Sequence, residues 1–140
     1  MNDKIQDIRL QAIGVVRSAF LHREETPKQG RETSARADLE IFPAYREGLQ
    51  GLAELKHAFI LTWLHAASRD MLMVHPRGDR SRPERGVFST RSPHRPNPIG
   101  LNMVRIISIS DSGLTVEGLE AIDGTPILDI KPFVSYLDTP

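Results

Sequence analysis

Between Pro93 and Gly100 the chain packs three prolines and a glycine into eight positions. Proline fixes φ and removes a backbone donor, so this stretch is read as neither helix nor ladder-forming strand. It closes a longer run, Gly86 to Gly100, whose polar members Arg91, Ser92, His94, Arg95 and Asn97 can all donate hydrogen bonds. The prolines restrict the chain before anything binds, so its donors are held in place at reduced entropic cost. A plain surface turn has little use for two arginines, a histidine and an asparagine held this stiffly. The run is therefore a candidate binding or catalytic loop.

The rest of the chain reads as short strands between turn signals. Ile8 to Arg17 begins in alternation and becomes continuously apolar, with Gly14 marking a bend or bulge. Ala58 to Leu64 is apolar on both faces, as expected of a central strand, and Phe59 and Trp63 are assigned to the core. Leu39 to Phe42, Met71 to Val74, Gly86 to Phe88, Leu101 to Ser110, Leu114 to Leu119 and Ile127 to Lys131 complete the set. Asp111-Ser112-Gly113 marks a hairpin turn, as Ile122 to Pro126 marks a turn between the last two strands. Pro43 to Gly51 reads as a turn or two of helix, Pro76 to Glu84 as a charged loop. His22 to Ala37 is a polar loop long enough to suspect a role. A mainly β fold follows, a single small domain over residues 1–140 forming a closed or nearly closed β-barrel with short helical connections.

Composition narrows the chemistry. With no cysteine, disulfides and thiolate metal sites are excluded and a reducing cytoplasm is compatible. The polar N-terminus, with no long apolar run behind it, argues against a signal peptide or a membrane span. Formal charge sums to zero but is segregated. Arg69 to Arg105 holds eight arginines against three acids, while Ile106 to Pro140 holds one lysine against six acids. Such segregation can make one face positive for phosphates, and Arg77, Arg80, Arg82 and Arg85 are the candidate nucleic-acid contacts. The histidines at 22, 57, 65, 75 and 94 share no metal-ligand spacing, so no metal is expected. No Gly-x-Gly-x-x-Gly, Walker loop or Gly-x-Ser-x-Gly elbow is present.

Several segments together resemble one family. They are Ile13-Gly14-Val15-Val16-Arg17-Ser18, Phe42-Pro43-Ala44-Tyr45-Arg46-Glu47-Gly48-Leu49, Trp63-Leu64-His65, Gly86 to Leu101, and Asp123-Gly124-Thr125-Pro126-Ile127-Leu128-Asp129-Ile130-Lys131-Pro132. In this order and spacing, across about residues 10 to 135, the chain resembles the TsaA-like or TrmO-type methyltransferases. Their β-barrel binds S-adenosylmethionine. The Arg-Ser-Pro-x-Arg-Pro-Asn-Pro-Ile-Gly run is the most specific match. Longer members continue into a C-terminal domain thought to help with the tRNA, and this chain stops just after the barrel motif.

The resemblance implies methyl transfer to N6 of a threonylcarbamoyl-modified adenosine beside a tRNA anticodon, in the cytoplasm and by a homodimer. It places the methyl donor on Gln29, Gly30, His65, Ala66, Arg91, Leu101 and Ile122, Asp123, Gly124 and Thr125. Arg91 suits the donor's carboxylate, because a guanidinium pairs with it through two parallel bonds. Asp123 is the candidate proton acceptor, and Arg95 and Asn97 are expected to face the nucleotide, Asn97 reading an adenine edge. Three departures stand out. No proline separates Gln29 from Gly30, Ala66 replaces a polar residue seen in some members, and Phe133 stands where tyrosine is common. Leu61, Trp63, Met71 and Met73 offer apolar surface for a partner copy. Two other readings use the same loop: a non-catalytic RNA-binding barrel, and a methyltransferase of this fold with another substrate.

Overall fold

The fold is described from a computed structural model, covering residues 6–19, 35–119 and 121–140. Six strands close into an antiparallel barrel in the order β1-β2-β7-β6-β3-β8. They are β1 (Gly14–Arg17), β2 (Arg36–Ile41), β3 (His57–Trp63), β6 (Ile99–Ser110), β7 (Gly113–Glu117) and β8 (Pro126–Pro132). A separate two-stranded ribbon pairs β4 (Met73–Val74) with β5 (Arg85–Gly86). A short helix, α1 (Ser135–Asp138), follows β8.

Closure follows from the alternation of side chains. Val16, Leu39, Ile41, Ile60, Val104, Leu114, Val116 and Ile127 are buried and form one core cluster, while their neighbours along each strand point outward. Gly14 and Gly113 mark where strands crowd. A Cβ on either would collide with the backbone carbonyl of Glu40 or Leu39, respectively. Gly14 therefore serves close approach rather than the bend expected of it. Between β2 and β3, the 3₁₀ turns Pro43–Leu49 and Leu52–Glu54 drop Leu49 and Leu52 into the core and plug that end.

β3 is central, flanked by β6 and β8, but it is not buried on both faces. Ala58, Ile60 and Thr62 point inward; Phe59, Leu61 and Trp63 lie half-buried on the outer surface. The core assignment of Phe59 and Trp63 is thus corrected. Phe59 packs edge-on against Phe133, with ring centroids 5.9 Å apart. Trp63 carries the Arg69 guanidinium over its ring at 5.1 Å.

Several strand boundaries also differ from expectation: β2 already starts at Arg36, β4 only at Met73, and β7 runs Gly113–Glu117. β1 begins only at Gly14, where Ile41 and Ile127 become available as partners, and Ile8 and Leu10 are exposed. Of Gly86 to Phe88 only Gly86 is strand, because Val87–Ser89 curls into a 3₁₀ turn. β6 begins inside the proline-rich stretch: past Pro98 the backbone donors resume, so Ile99 pairs Trp63 and Gly100 pairs Thr62.

Candidate functional site

Strand polarity decides where the sequence's candidate residues meet. In this alternating barrel, the C-terminal ends of β1, β3 and β7 and the N-terminal ends of β2, β6 and β8 share one mouth. The connections 18–35, 64–98 and 118–125 all leave from that mouth. Gln29 and Gly30 fall within the first, outside the described residues. His65, Ala66 and Arg91 belong to the second, Leu101 sits two residues into β6, and Ile122 to Thr125 end the third.

Backbone hydrogen bonds stitch the start of the second connection to its proline-rich end. Leu64 N–H donates to Pro98 O at 2.7 Å, and Arg95 N–H donates to Ser68 O at 3.2 Å. Ser68 N–H donates to His94 Nδ1 at 3.0 Å, which fixes that ring nitrogen as the unprotonated one. From its perch on Trp63, Arg69 adds bonds to Pro96 O at 2.7 Å and Asn97 Oδ1 at 3.2 Å. His65 and Ala66 are thereby held exposed beside the rigid loop.

A cleft of about 280 Å³ lies against the proline-rich loop and the start of β6; of the first segment only Leu64 lines it, and His65 and Ala66 do not. Leu64, Ile99 and Leu101 give it an apolar wall, and Thr90, Arg91, Asn97 and Asn102 supply polar groups. An apolar wall facing several placed polar groups is a lining that can orient a small ligand. Gly100 lies in the lining because a Cβ there would collide with Thr62 Oγ1. Thr62 is fully buried, and its hydroxyl has no hydrogen-bond partner.

The loop's two arginines have different tasks. Arg95 was expected to face a nucleotide. Instead its guanidinium turns back on its own loop, donating to Thr90 O at 3.0 Å, Ser92 O at 2.9 Å and Val87 O at 3.0 Å. These bonds make it a brace of the loop, and the residue also lines the cleft, so its expected catalytic role stays a proposal beside this structural one. Arg91 is exposed on the cleft lining, and its side chain has no ion pair or hydrogen bond among the described residues.

Asp123 is half-buried, and its Oδ1 accepts the Ser18 backbone N–H at 3.0 Å. The turn around it is tied to β1 rather than to the cleft. Gly124 N–H donates to Val16 O, and Thr125 Oγ1–H donates to Ile122 O. None of residues 122–125 lines the cleft; β3 separates their strand from β6, a span of roughly 10 Å or two strand spacings.

Of the candidate RNA contacts, Arg77, Arg80 and Arg82 lie on the charged excursion between β4 and β5 and Arg85 begins β5; all four are exposed. Arg82 is partly spent on Asp79, 3.5 Å away. That carboxyl is held below its ordinary range, first by the Ser81 hydroxyl and backbone N–H and then by Arg82. Arg80 and Arg85 have no partner among the described residues. No group of three potential metal ligands occurs among the described residues, and no described helix is long and apolar enough to cross a membrane.

Reading by residue type missed Thr62 and Asn102. Each is a polar residue at an inward position of an otherwise apolar strand face, and both breaks fall at the same end of the barrel. That coincidence was the available signal.

A "Probable S-adenosyl-L-methionine-binding protein" of Methanothermobacter thermautotrophicus is 47% identical over 133 residues, covering 95% of either chain. A "Putative S-adenosylmethionine-dependent methyltransferase RcsF" of Pseudomonas aeruginosa is 40% identical over 90% of this chain and 57% of its own length. A crystal structure of TrmO from Pseudomonas aeruginosa superimposes with a TM-score of 0.79 at 34% identity, covering 97% of this chain. The present chain spans 60% of that solved chain. Residues 15–139 match the profile of the tRNA-methyltransferase O N-terminal domain. The chain belongs to that family.

Proposed function

We propose that this protein binds S-adenosylmethionine in the cleft at the barrel mouth and methylates N6 of a threonylcarbamoyl-modified adenosine next to a tRNA anticodon. The observation that carries the reading is Arg91, a guanidinium with no partner among the described residues, on a cleft lining that mixes apolar and polar side chains. That donor set suits a ligand with one carboxylate and a flat apolar body. Arg91 pairs with the carboxylate, while Leu64, Ile99 and Leu101 contact the body and exclude water. The bound donor supplies an activated methyl: an N–C bond forms as the C–S bond breaks with its electron pair left on sulfur.

The protein's own task is then mainly alignment, which can be worth several kcal/mol without a strong acid or base. The rigid loop, braced by Arg95 and by Arg69, supplies that alignment. The attacking nitrogen sheds a proton, and Asp123 is our candidate acceptor through Oδ2, since Oδ1 is engaged by Ser18. Gln29, Gly30, His65, Ala66 and residues 122–125 complete the donor's surroundings in this reading. Arg77, Arg80 and Arg85 approach phosphates, where charge outweighs exact placement. Leu61, Trp63, Met71, Met73 and Leu101 leave an apolar outer face next to the cleft, which a second copy covers.

The test is nucleoside mass spectrometry of tRNA from cells lacking this protein, repeated after adding purified protein and S-adenosylmethionine. One methylated threonylcarbamoyl-adenosine should vanish and return. An unaltered nucleoside profile in the deletion rejects the substrate.

A further inference from the structure

Among the described residues three polar side chains are buried, all at the barrel mouth; Thr125 is paired with Ile122 O, whereas Thr62 and Asn102 are not partnered. Asn102 is 8% exposed and lines the cleft, and no described residue hydrogen-bonds its carboxamide. Behind it, Thr62 Oγ1 is fully buried and likewise unpaired. The two close on one spot. The point where a Cβ on Gly100 would collide with Thr62 Oγ1 lies 3.5 Å from the side-chain nitrogen of Asn102. Buried polar groups without partners are costly and rare in folded proteins, so such a pair calls for something that completes it.

We infer that Asn102, backed by the Thr62 hydroxyl, is a specificity-determining residue that reads the edge of an adenine ring. A carboxamide presents a donor and an acceptor in one plane, the complement of adenine's N7 and its N6 amine, where the hypoxanthine of inosine offers two acceptors instead. Leu64, Ile99 and Leu101 in the same lining give the ring apolar contact, and Arg91 remains for an anionic group on the same ligand. Asn97 is the weaker reader, because its Oδ1 already accepts from Arg69. The inference rests on the methyltransferase reading of the cleft, in which adenine occurs twice, in the donor and in the target nucleoside. The edge chemistry is common to both.

The experiment titrates wild type, Asn102→Leu and Thr62→Val with S-adenosylhomocysteine and its inosine analogue. Two short single-stranded RNAs are added, one with adenosine and one with inosine at a single position. Wild type should prefer the adenine member of at least one pair by about tenfold, the size of one good edge contact. Asn102→Leu should erase that preference without lowering the melting temperature, since the amide has no protein partner to lose. Thr62→Val should reduce the preference by a smaller factor. Loss confined to the homocysteine pair assigns Asn102 to the donor, and loss confined to the RNA pair assigns it to the target; either supports the inference. An undiminished preference in Asn102→Leu, or no adenine preference in wild type, overturns it. Should wild type fail to bind S-adenosylhomocysteine while its RNA preference depends on Asn102, the donor reading falls and this one stands.

Discussion

The two ends of the barrel use the same six strands and differ in how they are finished. One end is plugged: Leu49 and Leu52 fill it from below, and a two-residue turn joins β6 to β7. The other carries three connections, a cleft and, among the described residues, an unpaired arginine and two unpartnered polar groups. Stability and binding have been given to opposite ends. Within the second connection the same division recurs on a smaller scale, with Arg95 spent on backbone carbonyls and Arg91 left facing the cleft.

Substitutions should respect this division. Gly113→Ala, at the plugged end, forces a methyl group onto the Leu39 carbonyl and should cost about 3 kcal/mol of stability in a denaturant titration. Donor affinity of the molecules that remain folded should be unaltered, and a coupled loss of both would break the contrast. Arg91→Ala should do the converse. By calorimetry it should weaken S-adenosylmethionine binding by about 1.5–3 kcal/mol, as for a lost charge-assisted bond, with the melting temperature unmoved. Unchanged affinity would mean that Arg91 does not hold the carboxylate.

Arg95→Ala sharpens the picture from inside the loop. It removes donors to three carbonyls and should cost roughly 1–2 kcal/mol, seen as faster amide exchange over residues 87–98. Arg80→Ala should lower the salt dependence of tRNA binding by about one phosphate contact, and Arg82→Ala by less, because Arg82 already faces Asp79. The smallest effect is local. Asp79's carboxyl is depressed in the folded state, so its favourable contribution is complete above the unfolded pKa. It is lost as pH falls through the lower folded value. An NMR pH titration should therefore place the Ser81 amide transition below the ordinary carboxylate range.

Much of the fold was legible in the sequence, because short alternating strands and their turns are local signals. Even the convergence of three segments at one mouth follows once the strands alternate in direction. Strand ends were less legible. Ile8 and Leu10 are as apolar as the residues of β1 but have no partner strand to pair with. The roles of Arg91 and Arg95 were unreadable for another reason. They are the same residue type in the same stiff loop, and only the curl of the backbone decides which guanidinium meets three carbonyls. The outward placement of Phe59 and Trp63 was missed because an apolar outer face looks, in sequence, like a second buried one.

The most direct test of the functional mouth is amide hydrogen exchange with and without S-adenosylhomocysteine. Slowed exchange should appear at residues 64–69 and 90–102, with no change at 42–56 or 110–113. Protection confined to the plugged end, or none anywhere at saturating ligand, would contradict the placement of binding at the open mouth.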